Sequence, residues 1–367
     1  LLLDRPMQKL FEAEPQFKAA LLLLQERIPR ASTFFAHTTD IADANYVASG
    51  TETRIISTPT TPIPELQLLS NGKYHVMVTN AGTGYSKWKG LAVTRWREDV
   101  TRDNWGTFCY IRDVDNELFW SNTHQPTLKK AEAYQVTFSQ GRIDFRNTIN
   151  EIETHTEIVV SPEDDIEMRR LHITNISRKR KTIEITSYAE VVLAPPDSDL
   201  MQPAFSNLFV QTEIIPTQHA IVCTRRPRSN EQTPWMFHLM TMQEKEPEEI
   251  SYETDRMAFI GRGNTNTDPS AMRRSGPLSG SQGSVLDPIV AIRYKISLES
   301  DETVTLDMII GVAETKDICT QLVRKYQDKS LKDRVFGLAW THSQVVLRQI
   351  NASEADAQLY GHFASSI

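Results

Sequence analysis

From about Leu68 to about Val312 the chain repeats one pattern: short runs rich in β-branched and aromatic residues, alternating apolar with polar and cut by turn residues. Thr182 to Val192 shows it most plainly, with Ile183, Ile185, Ser187 and Ala189 on one side of an extended segment and Glu184, Thr186, Tyr188 and Glu190 on the other. Further runs are Tyr134–Phe138, Arg142–Arg146, Thr154–Val160, Met168–Thr174, Ile289–Leu298 and Val304–Val312. Between them stand turn signals such as Ser139-Gln-Gly141, Ser161-Pro-Glu-Asp164, Asn175-Ile-Ser-Arg178 and Ser300-Asp301. A repeat of two cannot make the buried stripe of a helix, and strands so closely spaced leave little room for crossover helices. The expected fold is mainly β, a large antiparallel sandwich of roughly 250 residues rather than a series of βαβ units.

Helical periodicity is confined to the two ends. Met7, Leu10, Phe11, Phe17, Leu21, Leu24 and Ile28 recur at three- and four-residue spacing, and Pro15 is placed to open a second helix. Ile55 to Pro64, with Pro59, Pro62 and Pro64, must be extended. After Val312, Ile318, Leu322 and Tyr326 form one stripe, and Leu331, Val335, Leu338, His342 and Val345 form a second. Asp328 or Ser330 can cap the second helix, and Ser353-Glu-Ala-Asp356 reads as a capping box for a third. The expected division is a helical segment over residues 1–45, β structure over 46–315 and helices over 316–367. A last helix offering only Leu359 and Phe363 before Ile367 is expected to lead into a further domain, and a chain opening on Leu1 is expected to belong to something longer.

Composition excludes several classes. Against 47 acidic residues stand 40 Lys and Arg, a net charge of −7, which argues against neutralising nucleic-acid phosphates. Cys109, Cys223 and Cys319 show neither Cys-x-x-Cys nor Cys/His spacing, so no disulfide framework and no metal set is expected, and a reducing, cytosolic setting fits. The apolar run Ala19–Leu24 falls far short of the ~20 residues needed to span a bilayer. Gly261-x-Gly263 opens a long polar loop reaching Gly283, but no phosphate-binding fingerprint surrounds it.

The densest chemistry lies between Ile63 and Trp120, which holds four of the six tryptophans. Tyr74 to Val78 reads as a strand that breaks at Asn80-Ala-Gly82-Thr-Gly84 into a loop presenting Tyr85, Ser86 and Trp88. Arg95, Arg97, Asp103 and Trp105 follow. A sugar offers an apolar C–H face and a rim of hydroxyls, so its site wants a flat aromatic beside acids, amides and guanidinium groups. Asn80, Tyr85, Ser86, Trp88, Arg95, Arg97, Asp103 and Trp105 are therefore candidate carbohydrate-binding or site-bordering residues. The competing reading puts the aromatics in a sheet core and the charges on a solvated face, with Arg102 and Asp103, and Arg112 and Asp113, as strand-end ion pairs.

No catalytic residue is assigned. His75, His124, His155 and His172 could serve acid–base work of mutarotase type, but no spacing gives any of them a positioned partner. Glu98, Asp99, Asp103 and Asp113 could supply a glycosidase carboxylate pair, but nothing places them across a glycosidic bond, and salt bridges to Arg95, Arg97, Arg102 and Arg112 are the preferred reading. No metal constellation is visible.

The runs Ser57-Thr-Pro-Thr-Thr-Pro62, Thr79-Asn-Ala-Gly82-x-Gly84-Tyr-Ser86, Val93-Thr-Arg95-x-Arg97, Tyr110-Ile-Arg112-Asp113 and Phe119-Trp120-Ser121 together resemble the opening of the family-94 glycoside phosphorylases. Gly72-x-Tyr74-His-Val-Met77-Val-Thr-Asn80, Trp96-Arg-Glu-Asp99-x-Thr-Arg-Asp103-Asn-Trp105-Gly and Ser284-Val-Leu-Asp-Pro288 are more similar still to the C-terminal half of cyclic β-1,2-glucan synthases. The resemblance implies a galactose-mutarotase-like β supersandwich, then linker helices, then an (α/α)6 barrel that holds the catalytic aspartate and lies outside this chain. It implies no cofactor other than inorganic phosphate for the complete enzyme. As partners it implies a β-glucan, β-1,2-linked, the downstream barrel and, as one arrangement, a homodimer. In such synthases a membrane-embedded glycosyltransferase precedes this region, so the expected location is the cytoplasmic side of an inner membrane. The chain alone is expected to be inactive, its role to bind carbohydrate or to brace the barrel.

Overall fold

The structure, a computed structural model, describes residues 53–99, 101–227 and 233–364. The helices expected within residues 1–45, and part of the 226–234 loop, lie outside the described residues.

Two nine-stranded antiparallel sheets face each other. The first runs in the order β1 (Arg54–Ile56), β8 (Ala133–Ser139), β9 (Arg142–Ile149), β10 (Ile152–Val160), β11 (Ile166–Asn175), β18 (Thr303–Ala313), β15 (Trp235–Met242), β14 (Ala220–Arg225) and β13 (Val210–Ile215). The second runs β16 (Glu249–Asp255), β17 (Pro288–Leu298), β12 (Lys181–Ala194), β5 (Leu91–Thr94), β4 (Gly84–Trp88), β3 (Tyr74–Thr79) and β2 (Leu66–Ser70). To it β6 (Phe108–Asp113) adds by pairing with β12, and β7 (Phe119–Ser121) by pairing with β6. Short helices α1 (Pro196–Met201), α2 (Pro203–Asn207), α3 (Arg256–Ile260) and α4 (Ser270–Arg273) interrupt the strands. Longer ones, α5 (Lys316–Lys325), α6 (Lys329–Gln349) and α7 (Glu354–Ala364), follow them.

The core is where the alternation of β12 predicts it. Ile183, Ile185, Ala189, Val191 and Leu193 point between the sheets and pack with Leu171, Ile173, Val304 and Leu306 of the first. The opposite side of β12 is buried too: Tyr188 packs with Tyr110 of the neighbouring β6 and with Phe259, Ile260 and Met272, residues that α3 and α4 lay over the sheet. The polar stretch 261–283 thus belongs to an excursion that covers the second sheet. The outer side of the first sheet is covered by α5 and α6, whose Cys319, Leu322, Val323, Tyr326, Val335 and Ala339 meet Val159, Met168, Phe237 and Ile309. Cys319 takes the inward place expected of Ile318, which is exposed. Helix starts follow side-chain chemistry: Asp328 accepts from Ser330 N at 2.8 Å, and Ser353 and Asp356 cap each other's backbone N–H at 2.8 and 3.2 Å.

The stretch expected as a loop from Asn80 to Trp88 is instead a tight turn and a strand. Gly82 N donates to Thr79 O at 2.9 Å and Thr79 N to Thr83 O at 2.8 Å, so the chain reverses at once and β4 pairs with β3, Ser86 against Val76. Gly84, at φ 152°, sits so close to the Met77 carbonyl that a Cβ would collide with it.

One polar contact bolts the sheets together inside the core. Ser187 Oγ of β12 and His238 Nε2 of β15 lie 2.7 Å apart, both fully enclosed. Burial, with the Arg169 charge adding to it, pushes the His238 imidazole down to about 4. A histidine held neutral below its unfolded value of 6.5 stabilises the fold above that pH and costs stability as pH falls toward 4, on the order of 3 kcal/mol at full titration. Urea unfolding at pH 7.5 and 4.5 is expected to show a larger acid loss in the wild type than in His238→Gln, whose amide keeps a hydrogen bond to Ser187 without titrating.

Candidate functional site

Strand alternation divides the candidate sugar-binding residues. On β4, Ser86 and Trp88 point between the sheets while Tyr85 and Lys87 face outward. Ser86 Oγ donates to Glu167 Oε2 at 2.9 Å and Trp88 Nε1 to Asp165 Oδ2 at 2.6 Å, both partners belonging to the β10–β11 end of the other sheet. Asn71 Nδ2 donates to Ser161 O at 2.8 Å and Arg169 Nη1 to Thr107 O at 2.9 Å, so one end of the sandwich is sewn by polar links. Asn80 is internal as well. Its amide donates to Thr58 O at 3.1 Å and accepts from Glu65 N at 3.1 Å, pinning the proline-rich segment to the β3–β4 turn.

Tyr85, Arg95 and Arg97 come together. With Lys87, Trp96, Glu98 and residues of α1 they line a cleft of about 290 Å³ on the outer side of the second sheet. Tyr85 and Trp96 meet edge to face with centroids 5.5 Å apart, and Lys87 Nζ lies 4.3 Å from the Tyr85 ring centre. Trp96 keeps 38% of its surface exposed.

The base of the cleft is a buried charge network centred on Arg95. The backbone of Arg95 extends the β5–β12 ladder by donating to Glu190 O at 3.0 Å. Its guanidinium donates to Glu190 Oε2 at 2.6 Å, Asp287 Oδ1 at 3.1 Å, both oxygens of Asp199 at 3.2 Å and Asn207 Oδ1 at 2.7 Å. Arg97 Nη2 reaches Asp199 Oδ2 at 3.0 Å, while Arg256 Nε and the Tyr188 hydroxyl both donate to Glu190 Oε1 at 2.8 Å. Burial opposes ionisation of Glu190, but Arg95 and Arg256 overcome it and hold the carboxyl below its ordinary value. For Asp287 the balance tips the other way: burial and the adjacent Glu190 charge raise it despite the two arginines.

Asp103 and Trp105 lie instead against the β3–β4 turn. Thr83 Oγ1 donates to Asp103 in a short hydrogen bond, and Gly84 N donates to Trp105 O at 2.9 Å. Burial raises the Asp103 carboxyl, with the Thr83 hydrogen bond opposing, and lowers His124, which Asp103's charge opposes. The ion pairs expected within Arg102-Asp103 and Arg112-Asp113 do not form. Neighbours on a strand point to opposite sides, so Arg112 pairs across the sheet with Glu184 at 3.2 Å while Asp113 accepts from Asn116 and Asn150. Arg102 reaches Asp99 at 3.9 Å. His75 shares a hydrogen bond of 2.8 Å with Ser70, and His155 and His172 meet on the first sheet with Glu157.

Sequence reasoning missed Trp96, Glu190, Asp199, Asn207, Asp287 and Arg256 as members of this site. Asp199 and Asp287 stand in runs notable by eye, Pro195-Pro-Asp-Ser-Asp199 and Ser284-Val-Leu-Asp-Pro288, yet only the tertiary fold brings them to Arg95.

The family model for the glycosyl hydrolase 94 supersandwich domain matches residues 51–329. The chain belongs to that family. It is 32% identical over 364 residues to the cyclic beta-(1,2)-glucan synthase NdvB of Rhizobium meliloti (strain 1021), covering 97% of this chain and 13% of that protein. To the N,N'-diacetylchitobiose phosphorylase of Vibrio furnissii it is 25% identical, covering 77% of this chain and 35% of the relative. The chain thus spans a minor part of the curated relatives it matches. Among solved structures, a bacterial glucoamylase complexed with acarbose aligns at TM-score 0.44 and 8% identity, over 79% of this chain and 40% of that one. In the family-94 supersandwich, then, the Arg95 network stands at the base of the cleft that Tyr85 and Trp96 border.

Removing one partner of a buried charge cluster leaves the others unpaired. Arg95→Met is expected to lower stability by about 3–5 kcal/mol, and Arg97→Met, at the more exposed rim, by about 1 kcal/mol or less. Urea unfolding at pH 7.5 measures both.

Proposed function

We propose that this supersandwich is a carbohydrate-binding module of a β-glucan-processing enzyme whose bond-making and bond-breaking groups reside elsewhere in the parent protein, and that the Tyr85–Trp96 cleft takes the glucan. One observation carries the reading: two aromatic rings packed edge to face at 65°, one of them exposed, over a base of charged groups already locked by their own hydrogen bonds. Such a base loses little entropy on binding, and the rings supply the apolar surface that pyranose C–H faces require. Arg97, Lys87, Glu98 and Asp197 at the rim offer donors and acceptors for hydroxyls. The names of the relatives, a β-1,2-glucan synthase and a chitobiose phosphorylase, favour a β-linked glucan, with β-1,2-glucan the first choice. In a complete enzyme working by phosphorolysis, inorganic phosphate would act at the catalytic part. The parent would stand at the cytoplasmic side of an inner membrane.

Titration of the full chain with β-1,2-glucooligosaccharides, read by tryptophan fluorescence, is expected to saturate, with affinity about tenfold weaker in Trp96→Ala and in Tyr85→Ala. Trp88→Phe, altered inside the sandwich, is expected to bind as the wild type does. Equal affinity in wild type and Trp96→Ala, with unchanged unfolding, would sink the proposal.

A bracing role has its own support. Trp340, Ile350, Leu359 and Phe363 of the C-terminal helices and their connection expose 57, 56, 48 and 58% of their surfaces, more apolar area than a solvated helical tail needs. Sedimentation of the full chain separates the readings: a stable dimer indifferent to glucan favours bracing.

A further inference from the structure

On the outer side of the first sheet, β9, β10, β11 and β18 lie side by side and bring three residues together that are far from the Tyr85 cleft in sequence. His155 and Glu157 are two apart on β10 and so point the same way. The register sets His155 opposite His172 of β11, and Glu157 opposite Asp144 of β9. The two imidazole rings stack with centroids 5.7 Å apart, and one ligand atom from each of His155, Glu157 and His172 lies within 4.8 Å of the others.

We propose that His155, Glu157 and His172 form a binding site for a divalent transition-metal ion, Zn²⁺ foremost. The donor set is two imidazoles and one carboxylate, the composition of three-ligand zinc sites that leave a fourth position to solvent. His172 Nε2 and Glu157 Oε2 are 3.4 Å apart. Donors about 2.1 Å from a tetrahedral ion are separated by roughly 3.4 Å, so this pair already stands at the edge of such a polyhedron.

Each ligand is also held from behind. His172 Nδ1 lies 3.2 Å from Thr305 Oγ1, and the tautomer that donates there leaves the Nε2 lone pair facing the carboxylate, an arrangement that a cation between them relieves. Glu157 accepts from Arg142 Nη1 through Oε1 at 3.0 Å, which leaves Oε2 for the ion. Asp144 Oδ1 lies 3.0 Å from His155 Nε2 and accepts from Arg142 Nε through its other oxygen at 3.0 Å, a carboxylate placed to orient the His155 ring. His155 and His172 retain 21 and 34% of their side-chain surface, so an ion can reach them from solvent. Competing thiols are out of reach, because Cys109, Cys223 and Cys319 are buried.

The test is titration of the chelator-treated full chain with Zn²⁺ by calorimetry, and with Co²⁺ by its visible absorption. One equivalent is expected to bind, with affinity at least 100-fold weaker in the double variant His155→Asn/His172→Asn and about tenfold weaker in Thr305→Val. His75→Asn should bind as the wild type does. Histidine-ring NMR of the wild type asks the same question without a substitution: Zn²⁺ should shift the His155 and His172 resonances. Binding of equal affinity in the double variant, Zn²⁺ shifts confined to other histidines, or no saturable binding by the wild type would overturn the proposal.

Discussion

The burial of β12 on both sides is the constraint from which the rest of the structure follows. Its inner residues make the core between the sheets, but its outer row, Glu184, Thr186, Tyr188 and Glu190, carries two carboxylates into a place that water does not reach. A buried carboxylate is tolerated only when paired and hydrogen-bonded. Each therefore has two arginines: Arg112 and Arg293 stand 3.2 and 3.5 Å from Glu184, and Arg95 and Arg256 stand 2.6 and 2.8 Å from Glu190. These four guanidinium groups come from β6, β17, the end of β5 and the start of α3, so the excursion that roofs the second sheet is tied to it by charge as well as by Phe259 and Met272.

The same pairing explains why the cleft stands where it does. Arg95 has more donors than Glu190 can use, and the surplus holds Asp199 on α1 and Asn207 on α2. Of these, α1 lines one wall, with Pro196, Asp197, Asp199 and Leu200. The opposite wall is the outward half of β4, Tyr85 and Lys87, with Trp96 between them and Arg97. A network that satisfies a buried acid thus also gives the cleft its rigid base, with no separate device needed for each task.

How much of this could be read beforehand depends on the range of the interaction. The two-residue period of Thr182 to Val192 and of the runs that became β8 to β11, β17 and β18 is local, and those strands form where it predicts. Capping at Asp328 and Ser353 is equally local. The turn after β3 is shorter than two glycines suggest, because Gly82 and Gly84 allow the chain to fold back within a few residues. Convergence of Asp199, Asn207 and Asp287 on Arg95 is a property of three crossing segments, and no spacing along the chain encodes it. His155, Glu157 and His172 lie between these extremes. A His-x-Glu on one strand shows a shared side, but His172 joins it only through the β10–β11 register.

The alternation along β4 draws the last distinction. Ser86 and Trp88 have the residue types a sugar site favours, yet their polar atoms are already engaged by Glu167 and Asp165 across the sandwich. A ligand competing for them would have to break links between the sheets, each of them buried from water on at least one partner. Tyr85, one residue away, carries no such debt to the fold, and its ring meets Trp96 at the open side of the sheet. Side-chain chemistry alone makes these residues equivalent; the pleat separates those that hold the sandwich shut from those that face the open side of the sheet.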